Sequence, residues 1–335
     1  MAKGHVPSEW KSARVIPLLK SGEPDNMENY RPISILPLTS KIMEKAVLYS
    51  FLTNNQLLNP YEFGFRKGHS TETVVIGLTD TIRWNMDHAR LTGAVLIDLS
   101  KAFNTVDHSK LLSKPCVYMA ITETERLWFT NYNADRRQLV QYRNVSSDYS
   151  VILSGAPQGS ILGIVSRCIV LMYADDTVLY FASNSVSEIE NVLNCDLHLL
   201  QTWLLDNILF LIKKTTEFVL FGTSARLSRV GDCTVNIGHH LVKRVLNFKY
   251  LGVVLDDALS WNCHLNSIFT KACKRIVMLG RIRQDITLNA ANVIYKSFIF
   301  PIFYYCDSAW TCCNKCDAVM LERLQRRAAI ALSSK

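Results

Sequence analysis

The spacing of hydrophobic positions changes twice along the chain and divides it into three stretches. Up to residue 90 the pattern is broken by prolines, and only residues 39–55 show one apolar helical face. Between residues 91 and 260, short β-branched runs predict strands, and a long amphipathic helix follows Ser185. After Trp261 apolar residues recur every three or four positions up to residue 332, which predicts helices.

The most informative elements lie in the second and third stretches. Residues 94–97 predict a buried strand that ends at Asp98, residues 138–153 predict two strands around a polar turn, and residues 178–181 predict a further strand. Shorter strands are predicted near 217–222, 234–237 and 248–255. The apolar faces of the three helices consist of Ile189, Leu193, Leu197, Leu200 and Leu204, then Leu265, Ile268, Ala272, Ile276 and Leu279, then Leu321, Leu324 and Ala328.

Composition narrows the class of protein. Hydrophobic residues make up 49% of the 335 positions, enough for a substantial core, and the net charge of +8 favours a polyanionic partner over a neutral one. A basic protein without such a partner remains the alternative at this stage. We expect no membrane span, because charged residues or a proline break every long apolar stretch.

The ten cysteines are expected to be reduced, because the first residues contain no apolar signal region. An intracellular, non-secreted protein is the expectation, in either nucleus or cytoplasm. Four cysteines near the end of the chain could form a zinc site, but their spacing is irregular and no histidine follows them. Unligated cysteines are therefore favoured at Cys306, Cys312, Cys313 and Cys316.

Three aspartates are the candidates for chemistry. Asp98 ends one predicted strand, and Asp175 and Asp176 are predicted to occupy a hairpin tip between two apolar runs. Phosphoryl transfer requires divalent cations near the reacting phosphate, and Mg²⁺ prefers carboxylate oxygens. The three carboxylates would meet if their strands were neighbours in one antiparallel sheet. An Asp-Asp pair between strands is more commonly a solvated turn, so the surrounding motifs decide.

Those motifs occur in a fixed order. They read NYRPIS at 29–34, FGFRKGHST at 63–71, VLIDLSKAF at 95–103, GAPQGSILG at 155–163, YADD at 173–176 and FKYLGV at 248–253. Together they resemble the reverse transcriptases of non-LTR (LINE-type) retrotransposons over nearly the whole chain, limited to the polymerase domain. The resemblance implies an α+β right-hand polymerase, with fingers at 1–90, a palm with an antiparallel sheet at 91–260, and a thumb and C-terminal helical region at 261–335.

The same resemblance implies RNA-directed DNA synthesis from deoxynucleoside triphosphates on an RNA template and a DNA primer. Two Mg²⁺ ions, or Mn²⁺ in their place, would be held by Asp98, Asp175 and Asp176. Lys214 would act as the general acid toward the leaving pyrophosphate. Substrate contacts would come from Arg31 and Lys20 on the triphosphate, Phe103 under the sugar, and Gln158 and Gly159 against nucleotide and template.

Nucleic-acid contacts would involve the fingers, the primer-grip hairpin and the thumb. The fingers would contribute Arg66 and Lys67, and the primer-grip hairpin would contribute Tyr250, Leu251 and Gly252. The thumb would contribute Lys271, Lys274, Arg275, Arg281 and Arg283. The alternative for each cation is an ordinary solvated side chain.

Three positions depart from the family pattern. Only residues 164–171 separate the GAPQGSILG loop from the YADD region, where the family has a helix and a loop. Asn104 replaces an aspartate, and residues 212–216 lack the asparagine that usually precedes the lysine-threonine pair. A catalytically inactive remnant that at most binds nucleic acid is therefore the second hypothesis.

Overall fold

A computed structural model of the chain describes residues 6–20, 22–45, 61–64, 66–100, 123–151, 167–174, 176–206, 210–212 and 215–333. The chain divides into two compact units. The first comprises Met1–Asn59, Lys101–Gly159 and Leu204–Phe210, and the second comprises Pro60–Ser100, Ser160–Trp203 and Leu211–Lys335. The three consecutive subdomains expected from the sequence remain a prediction, since the units are made of discontinuous segments.

The described strands are short and lie mainly in the middle of the chain. They are β1 Ser12–Leu19, β2 Tyr30–Ile35, β3 Leu91–Ile97, β4 Leu99–Ser100, β5 Arg137–Tyr142, β6 Val145–Ser146, β7 Ser150–Val151, β8 Ile169–Tyr173, β9 Asp176–Ser183, β10 Phe210–Leu211, β11 Glu217–Phe221, β12 Asn236–Ile237, β13 His240–Leu241, β14 Lys243–Arg244, β15 Asn247–Tyr250 and β16 Val253–Asp256.

The described α-helices become frequent after residue 260. They are α1 Leu38–Glu44, α2 Thr71–Asp87, α3 Glu123–Asn133, α4 Val186–Asp206, α5 Ser224–Leu227, α6 Asn262–Ile282, α7 Leu288–Ile294, α8 Phe300–Tyr304, α9 Asp307–Trp310 and α10 Lys315–Ser333. One π-helical segment, Tyr295–Ile299, joins α7 to α8, and 3-10 turns lie at Ser8–Lys11, Met27–Asn29 and Arg283–Asp285.

The first unit contains a mixed sheet. β1 pairs antiparallel with β2 and parallel with β5, while β5 also pairs with β6 and β7. Val6, Trp128 and Tyr132 form a small apolar cluster in the same unit. The Val6 amide donates to Asn131 Oδ1 over 2.8 Å. Most of the β2 side chains are exposed to solvent.

The second unit is built on a five-stranded sheet of order β14-β11-β3-β9-β8. Every pairing in it is antiparallel except that of β11 with β14. Helix α4 packs closely on one face, where a Cβ added to Gly93 would lie 2.5 Å from Ile189 Cγ2 and 2.9 Å from Leu193 Cδ1. The absent side chain at Gly93 thus lets the helix approach β3.

The other face of this sheet belongs to the main hydrophobic core. It packs against α2, against the β15–β16 hairpin and against α6, whose buried stripe consists of His264, Leu265, Ile268, Ala272, Ile276 and Leu279. Helix α10 contributes Leu324 and Ala328 to the same core. Within the described part of the chain, no helix is long and apolar enough to cross a bilayer.

Most predicted elements are confirmed. The strand before Asp98, the helix after Ser185 and the five apolar positions of the thumb-like helix agree with the sequence analysis. Helix α1 covers part of the predicted 39–55 helix, and residues 46–55 lie outside the described residues. Two predictions were wrong in detail. β8 pairs Tyr173 with Asp176, so Asp176 is the first residue of β9 rather than part of the turn. Residues 137–151 form three strands, β5, β6 and β7, rather than two strands around a polar turn.

Candidate active site

Strand register brings two of the three candidate carboxylates together. The pairing of β3 with β9 ends at Ile97 and Thr177, so Asp98, directly after Ile97, lies beside Asp176, directly before Thr177. Residues opposite each other on neighbouring strands project from the same face of a sheet. The neighbouring antiparallel strands that this site requires are therefore present, although the connection before β8 is short.

Asp98 is fixed by residues that follow the long helix. Thr215 Oγ1 donates to Asp98 Oδ2 over 2.9 Å, and the Ile212 amide donates to the Asp98 carbonyl over 2.9 Å. The Thr215 hydroxyl also lies 3.2 Å from the Ile212 carbonyl. One Asp98 oxygen is thus oriented from the protein side.

The turn before Asp176 has a left-handed residue and a neighbouring segment packed against it. Ala174 has φ of 60°, a region that a non-glycine residue adopts at a cost. The Phe63 amide donates to the Met172 carbonyl over 2.9 Å, and the Met172 amide donates to the Tyr61 carbonyl over 3.1 Å. Residues 61–63 therefore lie along the free edge of β8, directly before the turn.

Tyr250 forms part of the buried floor of this site. Its side chain is 0% exposed, and its hydroxyl is buried with no hydrogen-bond partner among the described residues. Burial raises the pKa of Tyr250, and the charges of Asp176 and Glu62 raise it further. The ring thus lies in the core near these carboxylates, and its burial does not support the direct contact of Tyr250 with nucleic acid that the primer-grip resemblance implied.

The remaining hairpin residues are more accessible. Leu251 and Gly252 have φ of 46° and 88° and form the turn between β15 and β16. Tyr305 donates its hydroxyl hydrogen to the Leu251 carbonyl over 2.6 Å, and a Cβ on Gly252 would lie 3.1 Å from Tyr305 Cε1. The tip of the hairpin is therefore held by the helical region.

The beginning of β8 is anchored by a buried carboxylate on α4. Asp196 is 0% exposed, and its Oδ2 accepts the Arg167 amide over 3.0 Å and the Cys168 amide over 2.7 Å. Burial, together with Asp196, raises the pKa of the Cys168 thiol. The sequence analysis missed this residue, although an aspartate within the apolar stripe between Leu193 and Leu200 is itself a signal.

The candidate triphosphate ligands lie in the first unit. β1 pairs Leu18 with Arg31, and the Lys20 amide donates to the Asn29 carbonyl over 2.7 Å. Arg31 and Lys20 therefore lie on the same face of one hairpin, and both are exposed. In the second unit, Lys67 is exposed, while Arg66 Nη1 donates to the Glu62 carbonyl over 3.2 Å.

The basic residues of α6 divide into two groups. Lys271 and Lys274 are exposed on the helix. Arg275 donates to the Phe298 carbonyl and lies 5.2 Å over the Phe298 ring, so it is partly engaged within the helical region. Arg283 is buried, with Nε 2.7 Å from the Leu332 carbonyl and Nη1 3.1 Å from the Ile286 carbonyl, and it ties α6 to the end of α10.

Five predicted site residues lie outside the described residues, and they remain predictions: Asp175, Lys214, Phe103, Gln158 and Gly159. Among the residues that are described, no three His, Cys, Asp or Glu side chains converge on one point. Asp98 and Asp176 provide two hard oxygen donors at the ends of paired strands. This donor chemistry fits a hard divalent cation such as Mg²⁺, with Asp175 as the predicted third ligand.

The four late cysteines differ in their exposure. Cys306 is buried, Cys313 is half-buried, and Cys312 and Cys316 are exposed and free of disulfides. Arg83 Nη2 lies 2.6 Å from Cys312 Sγ and 3.0 Å from the Ala309 carbonyl, and so links α2 to α9.

Aspartates at the ends of neighbouring antiparallel strands, in a sheet packed against helices, are features of a polymerase palm. The family model described as reverse transcriptase (RNA-dependent DNA polymerase) matches residues 19–255, so the chain belongs to the reverse transcriptase family. The α+β right-hand polymerase fold class expected from the sequence is thereby confirmed.

The relatives place the chain among non-LTR (LINE-type) retrotransposon reverse transcriptases. It is 30% identical over 359 residues to a probable RNA-directed DNA polymerase from transposon BS of Drosophila melanogaster, covering 98% of this chain and 39% of the relative. It is 27% identical to the RNA-directed DNA polymerase from mobile element jockey of the same species, covering 90% of this chain and 35% of the relative. The chain thus spans less than two-fifths of these two proteins.

One solved structure shows a general likeness. An apo telomerase from Candida tropicalis, truncated from its C-terminal domain, aligns with a TM-score of 0.49 and 10% identity. The alignment covers 75% of this chain and 54% of the telomerase chain.

Proposed function

We propose that this chain is a polymerase core that extends a DNA primer on an RNA template from deoxynucleoside triphosphates, using two divalent metal ions. The observation that supports this most is the register that sets Asp98 beside Asp176. A chain whose palm no longer served catalysis would not be expected to keep these two strands paired at their carboxylate ends.

Each residue then has a chemical task. When bound, two Mg²⁺ ions, or Mn²⁺ in their place, would supply the positive charge that phosphoryl transfer needs. Asp98, Asp175 and Asp176 hold the ions, and Thr215 keeps one Asp98 oxygen in place. Lys214 protonates the leaving pyrophosphate.

Selection of the substrate falls to other residues. Arg31 and Lys20 bind the triphosphate, since a guanidinium and an ammonium both match phosphate oxygens. Phe103 lies against the sugar and excludes a 2′-OH, while Gln158 and Gly159 pack against nucleotide and template.

Grip on the template–primer duplex is proposed for the exposed cations. Lys271 and Lys274 on α6 contact phosphates, and Arg275 contributes from its position beside Phe298. Arg66 and Lys67 contact the template, and Leu251 and Gly252 at the hairpin tip contact the primer strand.

A catalytically inactive remnant that binds nucleic acid is the second candidate. It is favoured by the short stretch of residues 164–171 between the GAPQGSILG loop and the YADD region, of which residues 169–171 already belong to β8. At about 1.5 Å per residue, these residues would make barely two helical turns. Such a protein would keep the phosphate contacts and lack nucleotide incorporation.

Primer extension on poly(rA)/oligo(dT) with Mg²⁺ separates the two candidates. We expect incorporation that Asp176→Asn or Asp175→Asn abolishes, because each removes a charged ligand. Asp232→Asn, an exposed position, is the matched control and should keep full activity. Salt-sensitive binding of the hybrid without any incorporation would establish the remnant instead.

A further inference from the structure

Glu62 lies behind the turn that precedes Asp176 and has no role in the function proposed so far. Its Oε1 accepts the Gly64 amide over 2.8 Å, and its carboxylate also accepts the backbone N–H of Ala174. Ala174 is the left-handed residue between Tyr173 and the catalytic aspartates. One carboxylate therefore joins the 61–64 segment to the turn.

The packing of Gly64 shows how close this approach is. A Cβ built on Gly64 would lie 2.6 Å from the Ala174 nitrogen and 3.3 Å from its Cα. Backbone therefore contacts backbone at this point, and the absence of a side chain permits it. The backbone bonds between residues 61–63 and Met172 hold the same segment along β8.

A left-handed alanine persists only where its surroundings determine the conformation. The Ala174 amide has its acceptor in the Glu62 carboxylate. Burial raises the pKa of Glu62, while the two amides and Arg66 oppose that shift. The two amides and Arg66 thus favour the charged form of the Glu62 carboxylate, which accepts hydrogen bonds.

We propose that Glu62 is a positioning residue that holds Ala174 in its left-handed conformation and thereby sets the direction of the aspartates that follow. This inference rests on the proposed function for its catalytic consequence only. The interaction of the Glu62 carboxylate with the Ala174 amide can be measured without catalysis.

The experiment compares Glu62→Ala, Glu62→Gln and the exposed control Glu322→Ala in the full chain. Amide hydrogen exchange of the peptide containing Ala174 is the first measurement. We expect about tenfold faster exchange in Glu62→Ala, because the amide loses its acceptor, and exchange within about threefold of wild type in Glu62→Gln, which keeps an acceptor oxygen. Unchanged exchange in Glu62→Ala overturns the proposal.

Mn²⁺ affinity, followed by electron paramagnetic resonance, is the second measurement. We expect about tenfold weaker binding in Glu62→Ala and nearly unchanged binding in Glu62→Gln, as for residues that orient metal ligands. If Glu62 were itself a metal ligand, Glu62→Gln would weaken binding as strongly as Asp176→Asn, and the positioning role would be wrong.

Primer extension is the third measurement, and it distinguishes the two levels of the inference. We expect a roughly tenfold lower kcat in Glu62→Ala with an unchanged KM for the template–primer. The wild type could incorporate no nucleotide while the variants still differ from it in amide exchange and Mn²⁺ affinity. That result would contradict the proposed function and would still support the positioning role of Glu62. Gly64→Ala, which forces its Cβ against Ala174, should reproduce the exchange increase if Glu62→Ala folds poorly.

Discussion

Thr215 donates its hydroxyl hydrogen to Asp98 Oδ2 over 2.9 Å, although 117 positions separate the two residues in the chain. The bond joins the second residue before β11 to the first residue after β3, and these two strands are direct neighbours. One oxygen of Asp98 is thereby oriented by a side chain of the protein, as is common for carboxylates that bind metal ions.

Replacing Thr215 tests this link. We expect Thr215→Val to lower kcat for primer extension about tenfold and to raise the Mg²⁺ concentration for half-maximal rate, because Asp98 loses its orienting bond. Thr215→Ser keeps the hydroxyl and should stay within about threefold of wild type. Equal losses in both variants would contradict the orienting role of the hydrogen bond, because Thr215→Ser keeps the hydroxyl.

Removing Asp196 tests the anchor of β8. We expect Asp196→Ala to lower the free energy of unfolding by about 2–4 kcal/mol, since two buried amides lose their acceptor. Urea denaturation measures this, and Asn191→Ala, at an exposed position of the same helix, is the control with an expected change near zero. A loss equal to that of the control would contradict the anchoring role.

The sequence predicted most strands and helices of the second unit, because their apolar periods are long and regular, but it missed α2, whose buried face includes Val74, Leu78 and Ile82. It also found Asp98 and Asp176, since each follows or begins a strong strand. It did not find Glu62, Thr215 or Asp196, because their partners are backbone amides or a side chain far away in the chain. Burial of Tyr250 was missed for a related reason: a motif indicates an ancestral role but not which face of a hairpin the core covers.

Protonation of His264 should make stability depend on pH. Its side chain is 5% exposed, lies between Trp261 and Trp310, and has Nδ1 3.3 Å from the Val254 amide. Burial, and to a smaller extent Lys271, lowers the pKa of His264 to about 4. Because the unfolded state binds the proton near pH 6.5, stability is fully present above that pH and declines as pH falls toward 4.

Urea denaturation at pH 7.5 and pH 5.0 measures this dependence. We expect the wild type to lose about 2 kcal/mol more than His264→Gln between the two pH values, from about 1.4 kcal/mol per unit. His198→Gln, at an exposed position on α4, should behave as the wild type does. Parallel losses in wild type and His264→Gln would assign the pH dependence to other groups.

The salt dependence of hybrid binding tests the cations of α6. We expect Lys271→Gln and Lys274→Gln each to weaken binding and to reduce the slope of log K against log salt by about one, as for the loss of one phosphate contact. Arg229→Gln provides the control, since Arg229 lies beside Leu91 at the opposite end of β3 from Asp98. A slope unchanged by both lysine variants would place the duplex elsewhere.

The pairing of Tyr173 with Asp176 determines which insertions and deletions related sequences can tolerate. Adding or removing one residue between them would exchange the two faces of β9 and turn every core side chain of that strand outward. Changes of length before Arg167 carry no such penalty, because Asp196 fixes where the strand starts regardless of how the chain arrives there. Insertions and deletions should therefore accumulate upstream of Arg167 among related sequences, while the hairpin itself keeps a constant length.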